Sequence, residues 1–205
     1  MTAPPHVVLL SMFTGPCEIL RPVTLPALHE YAAAHGHAVE LVEPVAGLHP
    51  SWGKVRALAE ALDRYDVAVW VDADAMLINR GDIAEVVAAP AWQALGWDDR
   101  FGAYACVWAL RASLAAREFL REVWSLRHGD FPDWEQGAIA RLLGAGAPTQ
   151  RLVVEQWQGQ SEAWAIHSGY QGGSMPQRAD ALRARLADRQ AATNVVLARP
   201  SIERQ

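Results

Sequence analysis

An α/β domain with a mainly parallel sheet is the fold this sequence predicts, and three observations predict it. Short apolar runs rich in β-branched residues recur at 6–12, 37–42 and 66–71. Stretches carrying helix start and stop signals lie between them, so the order is β-α-β-α-β with right-handed crossovers. The third run, ending Val69-Trp70-Val71, shows no polar alternation, as expected of a strand covered on both faces.

Residues 6–12 predict the first strand, which ends at the turn Phe13-Thr14-Gly15-Pro16, where Gly15 gives backbone freedom. Pro22 to His35 predicts a helix, with Pro22 in its opening turn and Gly36 just past its end. After the strand 37–42, a helix is expected from Pro50 to about Arg64, with Ser51 as N-cap. Beyond the third strand, 82–88 predicts a short helix, and 92–97 and 105–110 two strands joined by a polar loop. Ser113 is expected to cap a helix over 114–127, and Asp133 one over 134–143. Short strands at 151–155 and 163–167 precede the glycine-rich segment 168–173, and 176–190 predicts a terminal helix.

At 205 residues the chain suits one large domain. Its expected parts are a nucleotide-binding half over about 1–80, a metal and acceptor half over about 90–175, and a helix and tail beyond. A net charge of -5 argues against a nucleic-acid binder, which needs a basic face. Cys17 and Cys106 are too few for a disulfide framework or zinc site, which fits a reducing cytosol. No apolar run is long enough to span a membrane, so a soluble, cytoplasmic protein is expected. Basic charge is almost all arginine; Lys54 is the only lysine in the chain.

The chemistry is concentrated where the third strand ends, in Asp72-Ala73-Asp74. Carboxyl ends of strands are where open α/β sheets bind ligands. If the backbone stays extended, both carboxylates point to one side and repel unless a cation intervenes. A divalent metal with oxygen ligands answers that repulsion, whereas a turn cap or a pair with Arg80 would be the plain structural alternative. Lys54, in Trp52-Gly53-Lys54 near a helix N-terminus, suits a diphosphate, or else is a surface lysine. His167 stands before a glycine-rich segment; imidazole can complete a carboxylate set around Mn²⁺, and glycines let the backbone approach phosphate oxygens. Asp133-Trp134-Glu135-Gln136 opens a helix, and its Glu135 or Gln136 could lie against a bound sugar.

Taken together, Pro50-Ser51-Trp52-Gly53-Lys54-Val55, Tyr65-Asp66, Trp70-Val71-Asp72-Ala73-Asp74-Ala75 and Ile78-Asn79 resemble the galactosyl-, mannosyl- and xylosyltransferases (glycosyltransferase family 34) of fungal Golgi and plant cell walls. The likeness continues more loosely through Val107 to Arg111, Glu135-Gln136 and His167-Ser168-Gly169. It implies a GT-A, Rossmann-like fold and a retaining, metal-dependent transfer of a sugar, a hexose by preference, from a nucleotide-sugar. UDP-sugar is the favoured donor, with GDP-mannose behind it, and the acceptor is a glycan or small molecule of unstated kind. The resemblance implies Asp72, Asp74 and His167 around Mn²⁺ (or Mg²⁺), with Asp72 also on the donor's ribose and diphosphate. Lys54 and the segment holding Gly169 and Gly172 would serve the donor too. Phe13, Thr14 and Gly15 would hold the base, and Gln136, with Glu135 and Asp133, would face the reacting sugar. Where the family has a cysteine or lysine after the histidine, this chain has Tyr170-Gln171-Gly172-Gly173, and Arg178 is the substitute the sequence offers. The family's membrane anchor is also missing, which points to a soluble bacterial relative. Two rivals use the same residues differently: a haloacid-dehalogenase-type phosphatase, whose Asp-x-Asp normally stands on the first strand, and a non-catalytic sugar-nucleotide or glycan binder.

Overall fold

The computed structural model describes residues 4–87, 92–98, 102–131, 133–144, 150–155, 165–167 and 174–197. The first half runs β1 (Val7–Ser11), a 3₁₀ turn (Gly15–Leu20), α1 (Arg21–His35), β2 (Ala38–Leu41), α2 (Pro50–Ala61) and β3 (Val67–Val71). There follow β4 (Ala75–Leu77), α3 (Ile83–Val86), β5 (Gln93–Asp98), β6 (Gly102–Arg111), α4 (Leu114–Ser125), α5 (Trp134–Leu143), β7 (Gln150–Glu155), β8 (Ala165–His167) and α6 (Met175–Leu197).

The strands lie in the order β2-β1-β3-β6-β5-β7-β8-β4. β1 pairs parallel with β2 and β3, and β7 parallel with β5 and β8, so the sheet is mainly parallel as expected. β6 is the exception: it enters antiparallel between β3 and β5, and β4 pairs antiparallel with β8. The β-α-β-α-β rule therefore holds through β3 and gives way where β5 returns directly into β6.

Both faces of the central strands are covered, and each strand alternates between two cores. Val8 and Leu10 of β1, with Ala68 and Trp70 of β3, pack under α2, α4 and α5 among Leu58, Trp108, Phe119 and Ile139. Val7 and Leu9, with Val67, Val69 and Val71, face α1 and α3 through Leu28, Tyr31 and Ile83. A third cluster joins Leu20, Val23 and Met76 to Ala179 and Leu182 of α6, fastening the C-terminal helix beside the 3₁₀ turn and β4. Gly53 lets α2 lie close to β1, since a Cβ there would stand 3.0 Å from the Met12 methyl.

Two caps differ from expectation. Ser51 does not cap α2; Pro50 takes the opening position, and the His49 ring accepts the Ser51 N–H at 3.3 Å. Asp133 precedes α5, but its side chain makes no capping hydrogen bond. Ser113 caps α4 as predicted, its Oγ accepting the Ala116 N–H at 3.0 Å. The His37 side chain is only 4% exposed and stands 2.9 Å from Asp82. No helix among the described residues is long and apolar enough to cross a membrane.

Candidate active site

At the carboxyl end of β3 the chain does not stay extended. Asp72, Ala73 and Asp74 make a turn closed by the Ala75 N–H donating to the Asp72 carbonyl at 2.9 Å. That turn carries the chain from the central sheet to β4, a three-residue strand the sequence did not reveal. The two carboxylates nevertheless meet, for both line one cleft of about 330 Å³. Thr14 and Cys17 from the segment after β1 contribute one wall, and Pro50 and Ser51 of α2 with Asp133, Trp134 and Gln136 another.

Beneath the cleft lies a buried charge cluster. Lys54 Nζ donates to Asp72 Oδ1, Glu135 Oε1 and the Ala105 carbonyl, each at 2.9 Å. All three ammonium protons are thereby taken. The Lys54 and Glu135 side chains are each 5% exposed, and the ammonium lies 5.7 Å from the Trp70 ring centre. Burial alone would depress the Lys54 pKa; Asp72 and Glu135 outweigh it, so its net shift is upward and it stays charged. Burial likewise raises the Glu135 carboxyl, and Lys54 opposes that rise. Lys54, expected against a diphosphate, lines the cleft and ties Asp72 at the end of β3 to α5 and β6.

Asp72 Oδ1 also accepts the Trp70 indole N–H at 2.6 Å. With Lys54 and Trp70 both on Oδ1, the other carboxylate oxygen is the one left for a ligand. Asp74 Oδ2 lies 3.8 Å from a guanidinium nitrogen of Arg178, which reaches in from α6. Arg178 Nε is buried with no hydrogen-bond partner among the described residues, an orphan donor at the edge of an acidic site. The cysteines report the same negative field. Burial first, then Asp74 and Asp72, lifts the Cys17 thiol, and Cys106 is raised well above its ordinary value by burial and the same acids. Neither is a thiolate nucleophile at neutral pH.

Gln136 accepts the Ala105 N–H through its Oε1 at 3.2 Å, which fixes the amide and leaves its NH₂ for the cleft. An amide held this way is set to donate to a sugar hydroxyl or phosphate oxygen more than to steady a developing cation. Trp134 is the only non-glycine among the described residues with positive φ, at 48°. That conformation costs an L-residue roughly 1–2 kcal/mol. The residue is 48% exposed, and its ring stacks on His49 at 4.2 Å between centroids and 11° between planes.

Of the base-binding residues expected, Thr14 lines the cleft and Gly15 follows it at φ 53°. Phe13 is buried instead, with the Arg21 guanidinium 5.2 Å from its ring. The backbone of His167 pairs with Ala75, next to Asp74, while its side chain, Gly169 and Gly172 lie outside the described residues. Met12, Cys17, Trp70 and Tyr104 join the cleft without having been singled out. Trp70 alone had a readable signal, two positions before Asp72 on a strand.

The donor set suits a hard divalent cation, since Asp72 and Asp74 both offer carboxylate oxygen to one space. Among the described residues no group of three or more His, Cys, Asp or Glu is placed to hold a metal alone. Two carboxylates are thus what these residues supply.

No protein-family profile matches the sequence, and no curated protein matches it. Among solved structures, it resembles a glycosyltransferase involved in the glycosylation of the major capsid of PBCV-1. Identity is 18% and TM-score 0.66, with 88% of this chain and 100% of that one covered. It also resembles the catalytic domain of Drosophila β1,4-galactosyltransferase 7 complexed with xylobiose, at 16% identity and TM-score 0.54, covering 82% and 74% of the two chains. A mutant of that enzyme complexed with manganese, UDP-Gal and xylobiose matches at 15% identity and TM-score 0.53, covering 79% and 70%. The chain therefore has a glycosyltransferase GT-A-like fold.

Proposed function

We propose that this protein is a metal-dependent glycosyltransferase, moving a sugar from a nucleotide-sugar to a glycan or small-molecule acceptor. The observation that carries this is the pair Asp72 and Asp74 in one cleft, at the carboxyl end of the central strand of a glycosyltransferase-like fold. UDP-hexose is the preferred donor and GDP-mannose the next, on the family resemblance and on the UDP-Gal complex of a structural neighbour.

Asp72 and Asp74 would hold Mn²⁺ or Mg²⁺, with His167 as a further ligand. When bound, such a cation offsets the charge that gathers on a departing nucleoside diphosphate, worth several kcal/mol. Thr14 and Gly15 would border the base and ribose, and the Arg178 guanidinium, 3.8 Å from Asp74, would stand in for the family's missing cationic phosphate contact. Lys54 does not touch donor in this scheme. It holds Asp72 and Glu135 in place and keeps the floor of the cleft from becoming a cluster of bare carboxylates.

Transfer breaks the bond from the anomeric carbon to the diphosphate oxygen and forms one to the acceptor oxygen. In the retaining course implied by the family, the departing phosphate oxygen takes the acceptor's proton on the same face, and Gln136 NH₂ orients the sugar. One observation favours a second course. The Asp133 carboxylate, released from capping α5, stands at the cleft and could accept the proton during inversion. Proton NMR of the first-formed product decides: retained anomeric configuration supports the front-face course, and an inverted product together with an inactive Asp133→Asn variant supports the other. Neither the phosphatase nor the non-catalytic reading gains support from the fold comparisons.

The test of the whole reading is a thermal-shift screen of UDP, GDP and their sugars with and without Mn²⁺. A ligand at 100 times its Kd stabilises by about 2.7 kcal/mol, about 5–10 °C for a chain of this size. A shift of that order that needs Mn²⁺ is expected for one nucleotide. No shift with any nucleotide rejects the assignment, and hydrolysis of an aryl phosphate with Mg²⁺ would revive the phosphatase.

A further inference from the structure

We infer that Trp134, backed by His49, is the platform on which the acceptor's pyranose ring stacks; this rests on the transferase reading above. Three observations converge on it. First, a bulky side chain is held at φ 48°, a conformation that glycine or asparagine would adopt at lower cost. Strain kept in an exposed residue at a cleft marks a position held for something other than folding. Second, the residue is 48% exposed although its indole is the largest apolar surface at that rim. It is not loose, because one face lies flat on the His49 ring at 4.2 Å. His49 is itself fixed by accepting the Ser51 N–H at the start of α2. The two rings thus form a stack joining the first turns of α2 and α5.

Third, the chemistry around the ring suits a sugar. A pyranose presents C–H bonds on a flat face and hydroxyls at its edge. The indole supplies a flat apolar surface of matching extent, and Asp133, Ser51 and Gln136 of the same cleft supply polar groups at its margin. The placement suits an acceptor: Trp134 lies between Asp133 and Glu135 at the start of α5, on a different element of the cleft from the acidic turn that follows β3.

Saturation-transfer NMR tests the platform with xylobiose and methyl β-D-glucopyranoside as probes, in the presence of UDP and Mn²⁺. Sorbitol, which has hydroxyls but no ring, is the control. Wild-type protein is expected to transfer saturation to the ring C–H protons of at least one pyranoside and not to sorbitol. Trp134→Ala and Trp134→Gly should weaken that transfer about five- to tenfold. Trp134→Tyr, which keeps a ring, should preserve most of it. Trp134→Gly suits the positive φ and should melt no lower than Trp134→Ala, and melting curves on both variants separate lost binding from lost folding. The Mn²⁺-dependent melting shift with UDP or GDP is read on the same samples and should match wild type. If wild type shows no such shift, the transferase reading fails and the platform with it. If the shift is intact but pyranosides give no transfer on wild type, or equal transfer on Trp134→Ala, only the platform is overturned.

Discussion

Asp74→Asn is expected to abolish sugar transfer, with a loss of at least about a thousandfold in kcat. The substitution keeps the shape of the side chain and removes the charge, so what it deletes is the grip on a divalent cation. The Asp72 carboxylate anchors Lys54 and the Trp70 indole, so a change there would disturb the buried charge cluster as well. Arg178 lies 3.8 Å from Asp74, so the ligand-free melting temperature is read alongside activity to separate lost folding from lost chemistry. The Mn²⁺-dependent shift with nucleotide should vanish at the same time. Turnover near wild-type level by this variant, with Mn²⁺ supplied, would remove the acidic pair from the mechanism.

Lys54→Met should act on folding and chemistry together. Removing one partner of a buried ion pair costs about 3–5 kcal/mol, on the order of 10 °C in melting temperature here. Glu135, whose carboxyl is already raised by burial, loses the cation that held it down. A carboxyl that binds its proton more tightly folded than unfolded stabilises the fold at low pH and penalises it at high pH. The variant should therefore become relatively more stable as pH falls, in melting curves taken across that range. Adding Glu135→Gln should recover much of the lost stability and none of the lost activity, since Asp72 still lacks its lysine and keeps only the Trp70 indole. Recovery of both would make Lys54 purely structural; a full loss of donor affinity with an unchanged melting temperature would return it to the diphosphate.

The strands at the heart of the fold were legible because β1 and β3 are unbroken β-branched apolar runs, and the acidic pair because it ends one of them. The helix starts were legible too, but not which residue does the capping. Asp133 is a good N-cap by type, yet its side chain caps nothing, and its backbone at φ -111° and ψ 31° is not the extended form an N-cap takes. β4 was invisible since three residues carry no periodicity, and it exists only through pairing with β8. The buried contacts of Lys54 were not legible. Its position near a helix start suggests an anion site, but its partners come from β3, α5 and the β6 backbone, and only the assembled fold brings those together. Its singularity among so many arginines was the one hint that it serves a special place.

That singularity has a practical consequence. Since no other lysine exists, the folded molecule presents almost no side-chain amine to solvent. Amine-directed reagents and lysine-specific proteases can therefore attack the interior of the sequence only after α2 has come away from the sheet. Cleavage at that single bond becomes a clock for opening of the domain, and bound nucleotide should slow it by the same factor that it lowers the open population.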